Sequence, residues 1–156
     1  MESDPRRTYL VVVDDSAEAR VALRFAARRA AKTGGRIEVL GIVEPQDFVQ
    51  FGGVQAAIEE EQRLRIQGVV SSAIGEILDE SGVETNIFVR QGEVVKTVRD
   101  FIGSRVEVDA LVLGAAVTGN PGPLVTNLCG HDAGRLPCPL MIIPGTITDE
   151  RLEDLS

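Results

Sequence analysis

Tryptophan is absent from the 156 residues, and tyrosine and histidine occur once each. A lone histidine, His131, excludes a multi-histidine metal site. The cysteines number 2. Cys129 and Cys138 have neither C-x-x-C nor Cys/His spacing, so they build neither a disulfide framework nor a zinc site. Lysine is equally scarce, with Lys32 and Lys96 its only occurrences. Against 16 Lys+Arg stand 24 Asp+Glu, a formal net charge of −8. Without clustered cations the chain is not read as a binder of nucleic acid or of anionic membrane. No run approaches the roughly 18 apolar residues of a membrane span. The polar start through Arg7 leads into an apolar run that stops at Asp14-Asp15, which fits no export signal. The expected compartment is the cytoplasm.

What remains is an ordinary globular composition, 44% apolar and 26% charged, in a length that suits one domain. Residues 9–13 (Tyr-Leu-Val-Val-Val) form a short apolar run, as in a strand buried on both faces. Asp14-Asp15-Ser16 interrupts it, and either Asp15 or Ser16 suits the cap of a helix that Gly34-Gly35 would end. On that helix Arg20, Arg24 and Arg28 form a row read as a solvated face. The grammar then repeats. Strands are expected at 36–43, 84–90, 109–113 and 139–143, and helices at 54–81, 94–102 and 124–135. A looser segment, 46–53, carries Phe48 and Phe51. Strands alternating with helices imply an α/β fold: a Rossmann-like open parallel five-stranded sheet with helices on both faces. The domain is assigned to 1–148, and 149–156 is read as a polar, frayed C-terminal tail.

Open parallel sheets bind ligands at the carboxyl ends of their strands, where strand order reverses. That draws attention to Asp14-Asp15-Ser16, to Ile42-Val43-Glu44 and to the loop after Gly114. The paired acids resemble those of a receiver domain, but Gly114 stands where the phosphoacceptor would be and no lysine follows Lys96. No Ser/His/Asp or Cys/His arrangement can be assembled. The chain is therefore read as a binder rather than a catalyst.

A broader resemblance spans nearly the whole chain. Val11-Val-Val-Asp14-Asp-Ser16 with Ala22-Leu23 and Ala26, Gly41-Ile-Val-Glu-Pro45, Gly92-Glu93-Val94, Asp109-Ala-Leu-Val-Leu-Gly114 and Pro137-Cys-Pro-Leu-Met-Ile-Ile143 appear in order. Together they resemble the universal stress protein family. The resemblance implies strand order 3-2-1-4-5 and cytoplasmic homodimers built through the last strand. It further implies binding of ATP or another adenine nucleotide, with Mg2+ if ATP. Asp14 would contact the adenosine part, and Val43 would meet the adenine through its backbone. Gly114 would open the phosphate loop, and Thr126 and Asn127 would occupy its closing Gly-Ser positions. The loop departs from the family pattern at Val117, where a second glycine is expected, and Pro121 and Pro123 lack amide donors. The function implied is a nucleotide-responsive sensor or adaptor in stress response. Two alternatives stay open. One is a dimeric α/β interaction module whose pocket is filled by its own side chains, Val117 among them. The other is a weak nucleotide-hydrolysing enzyme.

Overall fold

Strand β1 (Thr8–Val12) lies at the centre of the sheet, in parallel register with β2 (Arg36–Val43) on one side and β4 (Ala110–Ala115) on the other. β3 (Thr85–Gln91) pairs with the outer edge of β2, and β5 (Leu140–Pro144) with the outer edge of β4. The order is β3-β2-β1-β4-β5, with every ladder parallel. This is the expected α/β, Rossmann-like architecture. The computed structural model describes residues 6–44 and 52–156. The expected loose segment with Phe48 and Phe51 therefore lies, for the most part, outside the described residues.

Two-residue alternation along the strands divides the core. Tyr9, Val11, Ile37, Val39 and Val112 face a layer that includes α1 (Ala17–Thr33) and α2 (Gly52–Ser81). Leu10, Leu40, Leu111 and Leu113 face α3 (Val94–Gly103) and α4 (Pro123–Leu128) on the other side. Both sets are buried, which is why the strands read as continuous apolar runs. Val13, counted with the first strand in the sequence, lies just past its end, and its N–H donates to the Leu40 carbonyl at 3.0 Å. Tyr9 is buried near the start of β1, its hydroxyl 3.3 Å from Thr33 Oγ1. In the second layer Glu38 is 2% exposed and its carboxylate is held by Arg105, whose guanidinium carbon lies 4.7 Å from the Phe88 ring centroid. Such a pair is retained only when both charges stay matched.

The helix ends follow local chemistry. Ser16 caps α1, its side chain accepting from the Ala19 N–H at 3.2 Å, and Gly34 ends the helix at φ 68°. Glu93 caps α3 by accepting from the Val95 and Lys96 N–H groups. These bonds hold its carboxyl below the ordinary value of 4.5, with smaller help from Arg99 and Lys96.

Three sequence readings are corrected. The expected helix 124–135 is only the six-residue α4, followed by a separate 3-10 turn at Ala133–Arg135. Gly130 falls in the break between them, where added side-chain bulk would meet the Thr126 carbonyl at 3.1 Å. Residues 149–156, expected to fray, contain α5 (Asp149–Leu155), capped by Thr148 and anchored by Leu152 at 1% exposure. The arginine row on α1 is not simply solvated either. Arg24 pairs with Asp149 at 3.3 Å, and Arg28 with Glu153 at 3.3 Å. Lys32 joins Glu153 as well.

Candidate functional site

At the carboxyl ends of β1 and β4, where the chain crosses from one half of the sheet to the other, lies a cavity of about 440 Å³. This is the position at which open α/β sheets take ligands, and the volume is within the range of small-molecule sites. β1 delivers Asp14 to its wall just past Val13, and the first turn of α1 adds Glu18. The end of β2 contributes Ile42 and Glu44, and β4 contributes Leu113 and Gly114. The loop into α4 closes another side with Pro121 and Gly122. From α2, far away in sequence, come Gln62, Arg65 and Ile66.

The lining is rich in carboxylates. Asp14, Glu18 and Glu44 meet one guanidinium, that of Arg65, among the described residues. Asp14 Oδ1 accepts from the Ser16 N–H at 2.8 Å, which orients the carboxylate at the start of α1. Arg65 Nη2 pairs with Asp15 Oδ2, linking α2 to the turn after β1. No local spacing announces Arg65 in the sequence. Only the sheet crossover carries it to the cavity.

The candidate residues from the sequence separate into two groups. Asp14 and Gly114 line the cavity together. Gly114 has a packing role besides, because a Cβ there would sit 2.1 Å from the Glu18 carbonyl oxygen. Val43 is buried next to the lining residues Ile42 and Glu44, and its carbonyl accepts from the Gly92 N–H at 3.0 Å. Thr126 and Asn127 are exposed and fall in the second turn of α4, beyond its lining residues Pro123, Leu124 and Val125. The Thr126 hydroxyl donates to Asn120 Oδ1 at 3.0 Å, and Asn127 Nδ2 donates to the Pro123 carbonyl at 2.7 Å.

Two amides of the loop after β4 are bonded within it. The Ala116 N–H donates to the Pro121 carbonyl at 3.1 Å, and the Gly122 N–H to Asn120 Oδ1 at 2.9 Å. Pro121 and Pro123 in the same stretch have no amide to offer an anion. Val117, considered in the sequence as a plug, is instead 62% exposed and stands apart from the lining.

The remaining reactive side chains are elsewhere. Burial pushes the Cys129 and Cys138 thiols up, so neither is an activated thiolate. His131 is exposed. Among the described residues no group of three or more His, Cys, Asp or Glu is arranged to hold a metal ion. Mg2+ entering with a nucleotide would rely on phosphate oxygens together with one or two carboxylates, for which Asp14, Glu18 and Glu44 are the available donors. Among the described residues no helix is long and apolar enough to cross a membrane.

The sequence pattern of the universal stress protein family matches residues 5–144. No curated protein matches the chain. Among solved structures, the universal stress protein UspA from Lactobacillus plantarum is similar at a TM-score of 0.74 and 19% identity, covering 90% of this chain and 99% of its own. The universal stress protein from Archaeoglobus fulgidus in complex with dAMP has a TM-score of 0.58 and 20% identity, over 88% of this chain and 97% of that one. A family protein from Arabidopsis thaliana with AMP bound has a TM-score of 0.61 and 14% identity, over 92% and 94%. At these identities the likeness is one of fold.

Proposed function

The chain belongs to the universal stress protein family, and from that premise we propose that it is a dimeric stress-response protein that binds an adenine nucleotide between β1 and β4. The nucleotide's presence would be reported to a partner, as a sensor or adaptor does. The observation that carries this reading is the open cavity at the strand-order reversal, walled by Asp14 and floored by Gly114. In this reading Asp14 accepts from the ribose hydroxyls, and the β2 end around Val43 meets the base. Thr126 and Asn127 keep the shape of the α4 loop.

A nucleoside monophosphate fits better than ATP. The Ala116 and Gly122 amides are engaged internally, Pro121 and Pro123 have none, and three lining carboxylates oppose each added negative charge. Relatives with the same fold carry dAMP and AMP, which supports the same ligand class. Dimerisation is assigned to β5, which among the described residues pairs with β4 alone, leaving its outer edge open with Ile142 exposed.

Thermal melting with AMP, ATP and Mg2+ tests the proposal. AMP at a hundredfold its Kd raises stability by roughly 2.7 kcal/mol, a shift of several degrees at this size. A melting temperature unmoved by every nucleotide removes the ligand reading. The dimeric interaction module would then stand, a reading favoured by the internal bonds of the Ala116 and Gly122 amides.

A further inference from the structure

Arg65 projects from α2 into the cavity wall, the one cation among the described lining residues, and is paired with Asp15 on the turn after β1. Its side chain is 69% exposed and that of Asp15 56%. An ion pair this open to water is held weakly and exchanges partners at little cost. A guanidinium meeting a phosphate forms paired charge-assisted hydrogen bonds, which are much stronger. Among the described lining residues the opposite wall offers no cation, only the uncapped first-turn amides of α4 at Leu124 and Val125, which are neutral donors. The Gly122 and Ala116 amides are occupied within their own loop, Pro121 and Pro123 have none, and Asp14, Glu18 and Glu44 repel an anion.

We infer that Arg65 is the phosphate-recognising residue, releasing Asp15 to grip the phosphate of a nucleoside monophosphate, so that discrimination between nucleotide and nucleoside resides on α2 rather than on the loop after β4. This rests on the adenine-nucleotide reading and adds a specificity determinant to it. Asp15 acts as a stand-in anion for Arg65. It keeps Arg65 near the cavity mouth and competes with the ligand for it. Binding therefore exchanges one ion pair for another, drawing α2 onto the ligand and away from the β1 turn.

Calorimetric titration with AMP and with adenosine separates the possibilities. The intact protein binds AMP roughly ten- to a hundredfold more tightly than adenosine. Arg65→Gln brings AMP down to the adenosine level and leaves adenosine affinity unchanged, whereas Arg65→Lys retains part of the preference. Asp15→Asn raises AMP affinity severalfold with no effect on adenosine. Arg65 and Asp15 are both exposed, and melting of the ligand-free variants verifies that each is folded. An AMP-to-adenosine ratio that survives Arg65→Gln overturns the assignment while nucleotide binding itself stands, and so does equal affinity of the intact protein for the two ligands. Failure of the intact protein to bind either ligand removes both the nucleotide reading and the role given to Arg65.

Discussion

An alanine at position 114 would bring its Cβ to 2.1 Å from the Glu18 carbonyl oxygen and 2.5 Å from the carbonyl carbon. Backbone cannot yield as a flexible side chain does, so α1 would have to lift from β4. Gly114→Ala is expected to cost about 1–3 kcal/mol or more in nucleotide-free protein, measured by urea denaturation. A loss below about 0.5 kcal/mol, the scale of neutral surface changes, would contradict the packing role. Glu93 offers a second test through pH. Its carboxyl is held below 4.5 chiefly by the Lys96 and Val95 N–H groups, so the folded state favours the charged form. The advantage of the native residue over Glu93→Gln is fully present above about pH 4.5 and disappears as pH falls through the lower folded value. Denaturation midpoints for both proteins across the acid range measure this. A difference independent of pH would assign the cap to shape alone.

The C-terminal helix shows which forces hold an element in place. α5 is joined to α1 by Arg24–Asp149, Arg28–Glu153 and Lys32–Glu153, all of them partly exposed. Such pairs contribute about 0–1 kcal/mol each. Leu152, at 1% exposure, is sealed into the core formed by α1 and the sheet. Leu152→Ala is expected to cost about 2–5 kcal/mol, more than Asp149→Asn and Glu153→Gln together. Chemical denaturation of the variants in low and high salt compares them, and a double charge variant as damaging as Leu152→Ala would reverse the assignment. The helix was not legible from sequence because its partners on α1 are separated from it by more than a hundred residues. One buried leucine among acidic residues reads locally as a tail. For α4 the opposite applied: Gly130 and Gly134 interrupt the expected helix in the sequence, and the α-helix stops at Leu128, before both.

At the scale of the whole molecule the sheet was legible because its central strands are buried on both faces and announce themselves as apolar runs. Asp14 and Gly114 were legible as residues at the strand ends for the same reason, standing where such runs stop, and both line the cavity. Arg65 was not, since its place at the cavity is a product of the crossover from β2 through α2. Val117 was misleading, because a residue's bulk says nothing of the direction in which a loop will turn it. The proposed assembly has its own test. Ile142, 38% exposed on β5, would lie against its counterpart in a dimer built through that edge. Ile142→Asp is expected to turn the dimer into a monomer in sedimentation velocity while the melting curve stays cooperative. An unchanged sedimentation coefficient would move the interface elsewhere.

With tryptophan absent, the ultraviolet emission of this protein comes from Tyr9 alone. That ring is packed beside Thr33 at the amino end of the sheet, while the cavity opens at the carboxyl end. Intrinsic fluorescence is thus a single-position gauge of whether the base of the fold is intact. Excited beyond the absorption of an adenine ring, it follows denaturation from a position remote from the cavity.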